Sequence, residues 1–181
     1  MKLNFVGKNV PRPDAVRKVT GKAIFLDDIK LPGMLYTAIL RPEHAHAKIL
    51  SIDTSEAEKA EGVVKVVTGK GCKFQYGDNI RDLVSMAVDK VRYIGEPVAA
   101  VIAENPFQAK MALQKIKVKY ENLPVYVSAL DAMKKGAELI HPKSGDYWHL
   151  PGLGPIPGTN VANKYTLKKG DIDKGFKDAD F

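Results

Sequence analysis

The stretch Pro97-Val-Ala-Ala-Val-Ile-Ala103-Glu-Asn-Pro106-Phe-Gln-Ala-Lys-Met-Ala-Leu-Gln-Lys-Ile116-Lys-Val-Lys-Tyr120 changes its hydrophobic period twice. Residues 97–103 carry too many consecutive apolar side chains for a half-exposed strand, so they read as a central strand covered on both faces. Asn105 then offers a helix cap, and Pro106 suits a first helical position, where no N–H donor is needed. Ala109, Ala112, Leu113 and Ile116 recur at helical spacing, with Lys110 and Lys115 outside that stripe. Within one turn Ile116, Val118 and Tyr120 begin to alternate with Lys117 and Lys119, the pattern of a strand with one wet face. Strand, helix and strand at this spacing predict a crossover unit and a mixed sheet, hence an α+β fold with short flanking helices.

Outward from this unit the pattern is mixed. Upstream, strands are expected at 22–25, 34–40, 47–53 and 63–67, with turns at Asp27-Asp28 and Pro32-Gly33. Thr54 or Ser55 should cap a short helix ended by Gly62. Periodicity is lost over 69–81, predicting a long loop around Phe74 and Tyr76, and returns at 83–88 and 91–94. Downstream, 123–127 reads as extended and Ser128 as the cap of a short helix through Met133. Leu150-Pro-Gly-Leu-Gly-Pro-Ile-Pro-Gly158 excludes any regular element, so it reads as a linker or an outer wrap. A strand at 161–167 and a helix near 171–178 complete the chain. The expected organisation is an extended arm at 1–20, a domain at 21–141, a Pro/Gly-rich linker at 142–160, and at 161–181 the start of a further domain.

At 181 residues with 45% hydrophobic content, the chain can bury a core as one domain. No run approaches the roughly 20 apolar residues of a membrane span. The N-terminal ten residues lack the apolar stretch of a signal peptide. A single cysteine, Cys72, forms no internal disulfide and no cluster site, which favours a cytoplasmic setting. The net charge of +7 is spread from Lys2 to Lys177 among acidic neighbours. The two mildly basic stretches, 110–119 and Lys134-Lys135, lack interleaved aromatics, so a solvated surface or a face for an acidic subunit is favoured over nucleic-acid binding.

Candidate chemistry is sparse. His44 and His46 share a face of an extended chain and could hold a metal with Glu43 or Asp53; the plain alternative is a pair of hydrogen-bonded histidines at a strand entrance. Gly69-Lys-Gly71 and Tyr93-Ile-Gly95 match neither a dinucleotide fingerprint nor a P-loop. Glu96 could serve as a general base in a pocket, but an exposed turn carboxylate is the expected state. Cys72 has no histidine placed beside it for nucleophilic work. Asp27-Asp28 read as a turn rather than a carboxylate pair. No catalytic constellation emerges, and catalytic, cofactor-binding and metal residues are all expected to be none.

Several segments taken in order resemble a known family. They are Val6-Gly-Lys-Asn-Val-Pro-Arg-Pro-Asp14, Val19-Thr-Gly-Lys-Ala-Ile-Phe25, Asp27-Asp-Ile-Lys-Leu-Pro-Gly-Met-Leu35 and Arg41-Pro-Glu-His-Ala-His-Ala-Lys-Ile49. Val91-Arg-Tyr-Ile-Gly-Glu-Pro-Val-Ala-Ala-Val101, Val118-Lys-Tyr-Glu-Asn-Leu-Pro124 and Lys169-Gly-Asp-Ile-Asp-Lys-Gly-Phe-Lys-Asp-Ala-Asp180 follow. Together they resemble the start of the molybdenum-binding large subunit of the xanthine dehydrogenase and aldehyde oxidase family. The resemblance implies an α/β hammerhead domain preceding the domains that hold molybdopterin cytosine dinucleotide. It implies hydroxylation with water, electrons leaving through iron–sulfur clusters and FAD in partner domains or subunits, and a catalytic glutamate beyond residue 181. No catalytic or cofactor residue of the family therefore falls on this chain, which is expected to be inactive alone. The region matching 74–81 lies near the substrate entrance in relatives, which would let Phe74, Tyr76 or Ile80 line it. Two other classes compete: a free-standing interaction module using the basic surface or the Phe74–Tyr76 loop, and a small nucleic-acid binder. A reading frame that continues past Phe181 separates the first reading from the second.

Overall fold

A computed structural model describes residues 4–72 and 74–180 and resolves into two compact units, Met1–Met34 and Leu35–Phe181. Residues 1–3 of the expected arm, Lys73 of the expected loop and Phe181 lie outside the described residues.

The first unit is not extended throughout. After Pro11 and Pro13 the chain forms α1 (Ala15–Val19). Asp14 pairs with Lys18 at 2.7 Å, one turn on, and with Arg12 at 3.0 Å. These two partners hold its carboxyl below the ordinary value. The strand expected at 22–25 is absent. The N–H groups of Lys22 and Ala23 donate to the Arg17 carbonyl, which wraps the chain around the helix end instead of along a neighbouring strand. Asp27 and Asp28 lie in a single 3₁₀ turn, where Asp28 Oδ2 accepts the Phe25 N–H at 2.9 Å.

The second unit runs β1 (Tyr36–Leu40), β2 (Ala47–Asp53), α2 (Ser55–Glu58), β3 (Val63–Thr68), β4 (Gln75–Tyr76), β5 (Leu83–Val84), β6 (Lys90–Val91), β7 (Ala99–Ala103), α3 (Pro106–Leu113), β8 (Lys117–Asn122), α4 (Ala129–Ala132) and α5 (Ile172–Lys177). β7 is central, as its composition predicts: it lies between β1 and β3, with Val101 opposite both Ala38 and Val66. The crossover through α3 is present, with Asn105 Oδ1 accepting the Gln108 N–H at 2.9 Å and Pro106 in first place. Its two strands, however, enter different sheets. Both edges of β7 are already occupied, so β8 pairs with β2 in a second sheet ordered β6-β2-β8. The β2–α2–β3 connection also passes from one sheet to the other. Among the described residues every strand pair is antiparallel, so two three-stranded antiparallel sheets and the two-stranded β4–β5 sheet stand where a mixed sheet was expected.

The core lies between the sheets and helices. Ala57, Ala99, Val101, Ala112 and Ile116 form one buried cluster, and Ala47, Ala87, Val91 and Val98 another. Ile52 and Val118 pack against both and join them. Alanines at 109 and 112 let α3 approach the sheet closely.

Local differences from expectation have physical causes. α2 is capped from outside by Asp53, whose Oδ1 accepts from the Ser55 N–H and O–H at 3.0 and 2.7 Å, while Thr54 donates its hydroxyl to Glu58. Ser128 precedes α4 without a side-chain cap bond. The loop over 69–81 contains a 3₁₀ turn, Gly69–Gly71, and then pairs Gln75 with Val84 and Tyr76 with Leu83. Only 83–84 and 90–91 of the next expected segments form strands. The strand expected at 161–167 is absent, because no strand among the described residues forms a ladder with it; the Val161 carbonyl instead accepts the Ile156 N–H at 3.0 Å. α5 does form, capped by Asp171 Oδ1 on the Lys174 N–H at 3.0 Å, yet it buries no residue. No helix among the described residues is long and apolar enough to cross a membrane.

Candidate functional site

The densest buried chemistry surrounds β6 and the turn that follows it. Lys90, in β6, and Arg92, just after it, both reach residues 139 and 140. Gly95, at φ +84°, folds the chain so that Glu96 returns to Arg92. Arg41 fixes that turn by donating Nη1 to the Gly95 carbonyl at 2.7 Å. Glu96 Oε2 accepts the Arg92 N–H at 2.5 Å, and Oε1 lies 3.7 Å from Arg92 Nη1. Glu96 is only 4% exposed, so the expectation of an exposed turn carboxylate is corrected. Burial pushes its carboxyl above the ordinary value, against the pull of the Arg92 N–H and guanidinium.

Both cations reach a segment without regular structure. Lys90 Nζ donates to the Leu139 carbonyl at 2.5 Å and Arg92 Nε to the Ile140 carbonyl at 3.2 Å. Arg92 also donates to the Lys90 carbonyl at 3.0 Å and to Asp89 Oδ1 at 3.3 Å. Burial lowers the affinity of Lys90 for its proton, with Arg92 adding to the effect. His141 ends the segment, its Nδ1 3.1 Å from the Tyr147 hydroxyl. Burial, then Arg92, holds the imidazole below its ordinary value. Two small clefts meet here: one of about 170 Å³ reached by Glu96, Tyr93 and His141, and one of about 240 Å³ bounded by His141, Ser144 and Tyr147.

These hydrogen bonds brace residues 139 and 140 against β6 and the turn after it. Glu96 Oε2 is taken by the Arg92 N–H and Oε1 lies near the Arg92 guanidinium, so the carboxylate is committed first to Arg92. Sequence reasoning missed Lys90, Arg92, His141, Tyr147 and Asn160. The available signal was the i, i+4 pair Arg92 and Glu96 across a glycine turn.

The remaining candidates separate. His44 and His46 are hydrogen-bonded at the entrance to β2: His44 Nδ1 is 2.9 Å from Asn122 Oδ1, and His46 Nδ1 is 2.7 Å from the Pro124 carbonyl. A carbonyl only accepts, so His46 Nδ1 carries the proton and its buried Nε2 has no partner. Gly69 is packed against the backbone of Met86 and Ala87, a structural reason for a glycine there. Cys72 is a partly exposed free thiol. Phe74 and Tyr76 stack at 6.4 Å on the β4–β5 hairpin, both exposed, and Ile80 bridges to His149. Among the described residues no group of three His, Cys, Asp or Glu side chains is placed to hold a metal ion.

Comparison with known proteins follows this geometry closely. The family described as aldehyde oxidase and xanthine dehydrogenase, a/b hammerhead domain, matches residues 20–124, more than half of the chain. A probable xanthine dehydrogenase component of Bacillus subtilis (strain 168) is 36% identical over 171 residues, covering 93% of this chain and 21% of that protein. The nicotinate dehydrogenase large molybdopterin subunit of Eubacterium barkeri is 33% identical over 177 residues, covering 97% of this chain and 38% of that one. Among solved structures, the reconstituted CO dehydrogenase from Oligotropha carboxidovorans superposes with a TM-score of 0.72 at 33% identity, over 88% of this chain and 19% of that one. The chain thus spans about a fifth of the length of the first of these relatives. With two antiparallel sheets, the α3 crossover and this match, the chain belongs to the aldehyde oxidase and xanthine dehydrogenase family, whose α/β hammerhead domain it contains.

Proposed function

We propose that this chain serves as the hammerhead domain of a cytoplasmic molybdenum hydroxylase large subunit, shaping the substrate approach and packing against further domains without turnover of its own. The observation that carries this reading is the family match over residues 20–124 within relatives several times longer. One of those relatives is named as a molybdopterin subunit, which supports molybdopterin in the full-length protein; the cytosine dinucleotide form is part of the proposal. The partners are then the remaining molybdopterin-binding domains of the large subunit, with iron–sulfur and FAD domains or subunits completing the electron path. In this organisation residues 1–20 form an arm, 21–141 the hammerhead, 142–160 a connection and 161–181 the start of the next domain. The last assignment is supported by α5, where Ile172 and Phe176 stand one turn apart and both exposed.

Elemental analysis and a dye-linked assay with aldehydes and purines test the reading on the purified chain. Absence of stoichiometric molybdenum and of dye reduction is the expected result. Bound molybdenum together with turnover would overturn it.

A further inference from the structure

Residues 138–141 lie in no helix or strand, and their backbone is held by side chains from three other stretches. Lys90 and Arg92 take the carbonyls of Leu139 and Ile140. The Tyr126 hydroxyl accepts the Glu138 N–H at 2.8 Å. Asn160 uses both ends of its amide: Oδ1 accepts the Ile140 N–H at 2.8 Å, and Nδ2 donates to the carbonyls of Ala132 and Glu138 at 3.0 Å. A segment held this way opens locally without disturbing either sheet.

We infer that residues 138–141 form a latch closed by these side chains, and that a proton on His141 opens it. The charges around His141 supply the reason. Lys90 and Arg92 face it as cations, Asp82 and Asp89 as anions, and Glu96, Tyr93 and Tyr147 share its clefts. Glu138 adds an anion beside Lys90. Glu96 is the one buried carboxylate among the described residues, and it is committed to Arg92. A third cation at His141 therefore meets two others with no free buried counter-charge. Opening withdraws the Leu139 and Ile140 carbonyls from Lys90 and Arg92, and loosens the 142–160 connection tied through Asn160.

The signs of the two titrations differ. His141 is held below its ordinary value near 6.5 while the latch is closed, so it stabilises the closed form above that pH and loses this as pH falls through and below it. Glu96 is held above its ordinary value, so its protonation favours the closed form as pH falls. Wild type reads the difference, and Glu96→Gln removes the opposing contribution while keeping an oxygen for the Arg92 N–H.

Hydrogen exchange of the Ile140 amide, corrected for its intrinsic pH dependence, is the test, with the Val101 amide in β7 as the internal reference. In Glu96→Gln, protection of Ile140 should fall by about tenfold between about pH 7.5 and about 5.5, the limit for one group with the ordinary histidine value in the open form. Adding His141→Gln should flatten the profile, and Val101 should stay protected throughout. A flat profile in Glu96→Gln, or the same loss without His141, overturns the latch. If either variant leaves Val101 unprotected, NMR titration of the wild-type His141 ring decides: coincidence with loss of Ile140 protection supports the latch, and independence overturns it.

Discussion

Gly69 and Gly71 share one 3₁₀ turn and should respond oppositely to alanine. A Cβ on Gly69 would sit 2.4 Å from the Ala87 carbonyl oxygen, 2.8 Å from that of Met86 and 2.9 Å from the Ala87 carbonyl carbon. These are backbone atoms, and the segment cannot easily retreat. Ala87 is fully buried in the core and its N–H donates to the Pro97 carbonyl at 2.7 Å, just before β7. Relief requires a backbone shift approaching an ångström, at the upper end of the roughly 1–3 kcal/mol that overpacking costs. At about 2–4 °C per kcal/mol for a chain of this size, Gly69→Ala should lower the melting temperature by about 6–12 °C. Gly71 has no described atom within 4 Å of a built Cβ and no positive φ, so Gly71→Ala should be neutral or stabilising by up to about 1 kcal/mol. Urea and thermal unfolding followed by circular dichroism measure both variants. Equal shifts in the two would refute the packing argument. Loss of phosphate binding in both, with stability unchanged, would restore the phosphate-loop reading of Gly69-Lys-Gly71.

Four further substitutions separate core from periphery. Val101→Ala removes two methyl groups from a fully buried side chain between β1 and β3 and should cost about 2–3 kcal/mol in urea unfolding, whereas Ile39→Ala, 41% exposed on edge strand β1, should cost under about 1 kcal/mol. Asn105→Ala removes the α3 cap and should cost about 1 kcal/mol. Asp171→Ala removes an equivalent cap from α5, but that helix buries nothing, so the main unfolding midpoint should not move; only helical content in the far ultraviolet should fall.

The parts of the fold legible in the sequence are those set by local chemistry. Residues 99–103 need burial on both sides because they have no polar face, and Asn105-Pro106 can open a helix wherever the chain goes. Periodicity also identifies the wet side of β8. It does not identify the neighbouring strand, since that depends on which edges remain open after β1 and β3 have flanked β7. This is why the α3 crossover was legible but its passage between two sheets was not. The same limit explains residues 22–25 and 161–167. Their β-branched and aromatic side chains favour extended backbone, but a strand exists only with a ladder partner. Around α2 the error was smaller: Asp53 lies one residue outside the expected cap, and its carboxylate outcompetes the hydroxyls of Thr54 and Ser55 as an acceptor.

Glu96 shows why the candidate site was harder to read than the fold. The expectation of exposure rests on the cost of burying a lone carboxylate, a cost that falls once a cation and an N–H are supplied in the same turn. Arg92 supplies both, and Gly95 provides the conformation that brings them to Glu96. The raised carboxyl value then follows from burial and does not by itself mark a catalytic base. A base needs an oxygen free to face a substrate. Here Arg92 occupies one oxygen directly and lies near the other, while its guanidinium reaches on to the Ile140 carbonyl. Glu96 is therefore a positioning residue: its side-chain oxygen accepts the Arg92 N–H, and Arg92 in turn holds the Ile140 carbonyl.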